Sequence, residues 1–189
     1  MNKTLPPLIN LVLVSLLLVG CSGSVQKYRY YVLQPLASGL DSNTNGSVGI
    51  NPVIIPDWMD RQSLIWSDGL FRLYKSDLDR WGEPLSRAIT RVTAENLNRL
   101  TNGTFITTGP WSQSQRPEHT VDIDVLSVAK ESQRMVLDVR WVIKHKNKVQ
   151  AIGHKQFASS LAGLGTADEM VEVFSQLLLD MAEEIRQQL

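Results

Sequence analysis

Two neighbouring stretches of the chain alternate apolar and polar residues in the rhythm of strands. Val121, Ile123 and Val125 alternate with Asp122 and Asp124; Met135, Leu137, Val139, Trp141 and Ile143 alternate with Asp138, Arg140 and Lys144. A period of two sends one set of side chains into a core and the other into solvent, the pattern of a half-buried antiparallel strand. His145-Lys146-Asn147-Lys148 reads as the turn into a third strand that reaches about Leu161. Such a sheet needs a cover for its apolar face, and two segments have the period to supply it. Leu85, Ala88, Ile89, Val92, Leu97 and Leu100 recur at helical spacing, with Asn96 interrupting the stripe and Pro84 suited to the first helical position. Asn102-Gly103 reads as its stop. Val171, Phe174, Leu177, Leu178, Met181 and Ile185 form a second stripe, opened by a capping box at Thr166 and Glu169. The predicted fold is α+β: two layers, a mostly antiparallel sheet packed with two main helices.

Shorter elements fill the first half. Tyr28 to Leu33 reads as a strand, and Val48 to Ile55 as another, bent or at an edge because of Pro52. Ser63–Trp66 and Phe71–Tyr74 read as a hairpin joined by Asp68-Gly69, and Phe105 to Thr107 as a short strand. Trp81 and Trp111 fall in or near loops. With 189 residues, 43% hydrophobic and 20% charged, the chain can bury a core without disulfides.

The N-terminus says where the domain works. Lys3 is followed by an apolar run from Leu8 to Gly20, too short for a comfortable membrane span and shaped like a secretory signal. It ends in Leu18-Val19-Gly20-Cys21, which resembles a bacterial lipobox and contains the only cysteine of the chain. Residues 1–20 therefore read as a cleaved signal peptide, 21–27 as a lipidated Cys21 with its tether, and 28–189 as a single domain. The lipid is diacylglycerol through a thioether plus an N-acyl chain; several chains together hold firmly where one alone is marginal. By resemblance to enterobacterial lipoproteins, Ser22 in place of Asp sorts the protein to the outer membrane. The expected location is lipid-anchored on its periplasmic side.

The remaining candidates for chemistry are weak. Asp122 and Asp124 share one strand face, which suits half a metal site or an acid/base pair, but equally a solvated face paired with Arg140, the preferred reading. His119, His145 and His154 lack zinc-site spacing and read as surface residues. No GxSxG, P-loop or GxGxxG is present. A hairpin carrying Arg140, Lys144, Lys146, Lys148 and Lys155 could touch anionic lipid or could simply be a charged, exposed hairpin, the favoured reading. Equal numbers of basic and acidic residues, 19 each, leave no footprint for nucleic acid. Trp58, Met59, Arg61 and Trp66 crowd together, either as an interface or as an irregular part of the core. No enzyme, metal or dissociable cofactor is expected.

The order of motifs resembles a known family. The lipobox is followed by YYVLQPL, then VGINPVIIPDWMDRQSLIW, then RWGEPLSRAITRVTAENL, then a C-terminal helix. Together they resemble the PqiC-type ABC-transport auxiliary lipoproteins. Of the family's Pro-aromatic-Leu-Asp-Arg-Pro-Gln run the chain keeps Pro56, Asp60 and Arg61, has Met59 where Leu is usual, and lacks the second proline. The family's Trp-x-x-Pro-Leu appears as Trp81-Gly82-Glu83-Pro84-Leu85. The resemblance implies a non-enzymatic subunit of an MCE-type intermembrane lipid transport complex that anchors and docks the periplasmic conduit at the outer membrane. It implies an MCE-domain partner and a homo-oligomeric ring in contact with outer-membrane lipid. An alternative is a structural envelope-assembly lipoprotein serving secretion or cell-wall machinery.

Overall fold

The computed structural model describes residues 26–39, 46–101 and 104–189; Cys21, Ser22 and the Asn102-Gly103 stop lie outside them. Eight strands and two helices are found among these residues: β1 (Arg29–Tyr31), β2 (Ser47–Ile50), β3 (Ser63–Ser67), β4 (Leu73–Trp81), α1 (Leu85–Leu100), β5 (Phe105–Thr108), β6 (His119–Glu131), β7 (Arg134–His145), β8 (Lys148–Ser160) and α2 (Ala167–Arg186). The fold is α+β, as the periodicity predicts. Strands β6, β7 and β8 form the antiparallel meander, with Ile123 opposite Trp141 and Asp124 opposite Arg140. The β7–β8 turn puts both Lys146 and Asn147 at positive φ, as a two-residue hairpin turn requires.

The sheet is mixed. The long pairings and β3–β4 are antiparallel; β1–β4, β2–β5, β2–β6 and β3–β6 are parallel. Strands of three or four residues carry no directional signal in sequence, so these parallel contacts escape a reading by period. One edge of β6 holds β7 along its length. The other edge is shared: β2 pairs at His119–Val121, Ile54 bridges at Asp124, and β3 joins at Ala129. The sheet therefore forks, with β2–β5 at one end of β6 and β3–β4–β1 at the other.

Both helices cover one face. Leu85, Ile89, Val92 and Leu97 of α1 and Phe174, Leu177, Leu178 and Met181 of α2 are buried in the same core as Ile123, Leu137, Val139 and Ile143. A bulge between Val125 and Ser127 shifts the phase of β6, so Val128 is the residue that joins the core beyond it. Several local expectations are corrected. Pro84 is the N-cap of α1, one position before the helix. Trp81 is not a loop residue: it ends β4, is buried, and meets Phe174 edge-on at 6.4 Å. Thr166 accepts the Glu169 N–H at 3.4 Å, but the closest partners of the Glu169 carboxylate are the N–H groups of Gly163 (2.6 Å) and Gly165 (2.9 Å). The glutamate thus orders the loop ahead of α2.

Candidate functional site

The segment that follows the tether is fastened to the sheet and to both helices. The expected strand over Tyr28–Leu33 is only β1; residues 32–39 run on without strand pairing. Side chains from both helices hold this segment instead. Arg29 Nε donates to Asp79 Oδ1 at 2.7 Å, and Gly82 N–H donates to the Tyr31 carbonyl at 2.8 Å. The Tyr31 hydroxyl donates to Asp168 Oδ2 at the start of α2 (3.3 Å). Arg91 of α1 donates to the Leu33 carbonyl (3.0 Å), and Gln34 N–H donates to Ser175 Oγ of α2 (3.2 Å). Asn96, the residue that interrupts the α1 stripe, is fully buried, and its Oδ1 accepts the N–H groups of Leu36 (2.9 Å) and Ala37 (3.1 Å). Arg99 donates to the Pro35 carbonyl at 3.0 Å. A strap with few ladder partners thus finds side-chain partners for the N–H groups of Gln34, Leu36 and Ala37 and the carbonyls of Leu33 and Pro35, which its buried Leu33 and Ala37 require.

Asp79 is the electrostatic centre of this junction. It is 6% exposed and also accepts the Ser76 hydroxyl at 2.7 Å. Burial alone would raise its pKa; the Ser76 hydrogen bond and the Arg29 guanidinium more than offset this, and the carboxyl sits below its ordinary value. The motif Trp81-Gly82-Glu83-Pro84-Leu85 is where β1, β4 and α1 meet. A Cβ on Gly82 would lie 3.0 Å from Val32 Cγ1. The Pro56–Arg61 turn docks on the start of α1, where the Ser86 hydroxyl donates to Asp60 Oδ2 at 3.2 Å.

The crowded aromatic segment divides between core and surface. Met59 is 1% exposed and belongs to the core, so it offers no surface to a partner. Trp58 and Trp66 are half-buried against the core, and Arg61 is exposed. Trp66 stacks on Tyr74 with centroids 6.3 Å apart. Beneath this region Met59, Trp81, Met135, Met170 and Phe174 line an apolar crevice of about 20 Å³. That is room for about one water, not for an acyl chain.

The polar candidates are paired on the surface. Asp124 meets Arg140 at 3.2 Å, the preferred sequence reading; Asp122 meets Lys144 at 2.6 Å and accepts Asn51 Nδ2 at 2.5 Å. Lys155 pairs with Glu184, so three of the five cations of the basic hairpin are neutralised. His119 and His145 stand opposite one another with rings 4.5 Å apart. Burial, then the neighbouring His145, lowers the pKa of His119, which is half-buried rather than a free surface residue. His154 Nε2 lies 2.8 Å from Asp138 Oδ1. Among the described residues no group of three or more His, Cys, Asp or Glu could hold a metal ion, and no helix is long and apolar enough to cross a membrane.

Fold and junction define a two-layer α+β domain whose first segment is clamped between its helices. The chain belongs to the family of ABC-type transport auxiliary lipoprotein components, whose model matches residues 31–186. It is thus a membrane-associated lipoprotein of a transport family. No curated protein matches it. Among solved structures it is similar to an uncharacterized protein (TM-score 0.71, 17% identity, 86% of this chain and 98% of that one). It is also similar to a Xanthomonas campestris protein of the DUF330 family (TM-score 0.69, 11% identity, 84% and 92%). A hypothetical protein of Chlamydia trachomatis shares the fold less closely (TM-score 0.51, 13% identity, 76% and 98%).

Proposed function

We propose that the chain is the outer-membrane lipoprotein subunit of an MCE-type intermembrane lipid transport complex. Cys21 carries the lipid, Ser22 directs the protein to the outer membrane, and the folded domain docks the periplasmic conduit, assembled as a homo-oligomeric ring. The domain acts by position and is not an enzyme. The observation that carries this reading is the strap. Residues 29–37 are fastened by Asp79, Arg91, Asn96, Arg99, Asp168 and Ser175, so the part of the domain nearest the anchor is joined to the sheet and to both helices. The crevice of about 20 Å³ beneath Trp66 is too small to take an acyl chain.

The test is affinity purification of the full-length lipoprotein from envelope membranes at native expression. An MCE-domain protein should co-purify, and mass spectrometry of the mature N-terminus should find acylated Cys21. Recovery of secretion or cell-wall proteins without an MCE protein would overturn the transport reading in favour of envelope assembly.

A further inference from the structure

We propose that the tip of the β3–β4 hairpin, carrying Leu70, Phe71 and Leu73, dips into the surface of the membrane that holds the Cys21 lipid. The inference rests on the Cys21 anchor of the proposed function. Phe71 is 97% exposed, Leu70 78% and Leu73 51%, with Tyr74 beside them at 47%. Scattered exposed hydrophobes are ordinary, but a contiguous apolar tip marks a contact surface. This tip is held open rather than floppy. Asp68 Oδ1 accepts the N–H groups of Leu70 (2.8 Å) and Arg72 (3.1 Å), and Gly69, at φ +82, donates its N–H to Ser67 Oγ at 2.8 Å. The turn spends its polar groups on itself and presents apolar side chains outward.

The direction of the chain chooses the occupant. β1 pairs parallel to β4, with Arg29 opposite Asp79 and Tyr31 opposite Trp81. Moving back from Arg29 therefore leads the same way as moving back from Asp79: toward the hairpin tip. Cys21 lies five residues before Gln26, a reach of at most about 17 Å. The described chain thus enters the domain from the end where the tip projects, with Cys21 within that reach. Leu164, 89% exposed, marks the same end: Lys130 Nζ donates to its carbonyl at 3.1 Å, and the next residue, Glu131, packs on Gly69. Arg72 and Lys75 are exposed beside the apolar residues, placed for phosphate headgroups once the tip is immersed. An apolar tip with Arg72 and Lys75 beside it, whose acidic Asp68 is turned onto the Leu70 and Arg72 N–H groups, fits a bilayer interface next to a lipid anchor, since a second attachment adds to what acyl chains alone provide.

The test uses the full lipidated chain in vesicles of phosphatidylethanolamine and phosphatidylglycerol. Thioether formation consumes Cys21, so an introduced cysteine is the one free thiol. Phe71→Cys and, at the far end of the sheet, Ser114→Cys are each labelled with a nitroxide. Both positions are exposed, so the fold tolerates the change. Flotation with the vesicles is checked first. The ratio of oxygen to aqueous nickel-chelate relaxation should be severalfold higher at position 71 than at 114. A label at 71 as open to nickel as that at 114 would overturn the proposal while leaving the anchor intact. Shielding at 71 from both reagents would overturn it too, by showing protein, such as a second copy, over the tip. Failure to float would overturn the anchor reading itself.

Discussion

Asp79 shows how one buried carboxylate can fasten a tether. Its pKa lies below the ordinary value because hydrogen bonds from Ser76 and Arg29 outweigh the cost of burial. A carboxyl whose pKa is lower folded than unfolded stabilises the fold fully above the unfolded value. That contribution is lost as pH falls through the folded value. Urea midpoints measured from about pH 7 down to about pH 3 should therefore fall for the natural chain, and Asp79→Asn should start lower and fall less. Asn96 makes a different kind of fastening. Replacing it with Leu keeps the branched shape but leaves the Leu36 and Ala37 N–H groups without their acceptor, with an expected loss of about 2–4 kcal/mol in equilibrium unfolding. Neither role is legible in the sequence beyond a hint. Asn96 is visible as a break in an apolar stripe, yet its partners sit about sixty positions away, where periodicity carries no information.

At the scale of elements, legibility follows length. β6 and β7 are thirteen and twelve residues long, and their alternation reports both burial and pairing, whereas β8 is legible only as the return strand after the His145–Lys148 turn. Three residues of β4, Asp79 to Trp81, carry the pairings with β1, and Trp81 N–H also donates to the Gln62 carbonyl, yet only Phe71–Tyr74 reads as strand from sequence, because Lys75 to Arg80 is polar throughout except Leu78. The strap over residues 32–39 is illegible for a related reason: its hydrogen bonds go to side chains of α1 and α2, not to a neighbouring strand. Gly153 is a strand glycine with a geometric cause. Trp141, opposite it on β7, lays its indole across the glycine and donates Nε1–H to Gln188 Oε1 at 3.0 Å, tying β7 to the end of α2. A Cβ at position 153 would fall 2.1 Å from the ring. Gly153→Ala must displace Trp141, and the expected cost is about 1–3 kcal/mol, read from the denaturation midpoint. An unchanged midpoint would mean that β8, paired on one side only, yields without strain.

The whole molecule has two unlike ends because β6 spans it. Twelve steps of about 3.3 Å separate His119 from Glu131, so the two ends of β6 stand roughly 40 Å apart. One end gathers the hairpin tip, Leu164 and the tether direction; the other gathers Ser114, Arg116, Lys146 and Lys148, all exposed. The N-terminal motif predicts a lipid anchor, but not which end of the domain faces the membrane, because orientation depends on the parallel β1–β4 register that no local pattern encodes. This polarity predicts an asymmetry in lysine chemistry. Lys75, close to the tip, and Lys148, at the far turn, are both exposed and both open to a water-soluble acylating reagent when Cys21→Ser leaves the chain unlipidated in solution. On vesicles the lipidated chain should lose reactivity severalfold at Lys75 while Lys146 and Lys148 keep theirs, measured by peptide mass spectrometry within the same molecules. Equal protection at both ends would mean that the domain lies flat on the bilayer. Protection at Lys148 alone would reverse the orientation and turn the hairpin tip toward the periplasmic partner instead.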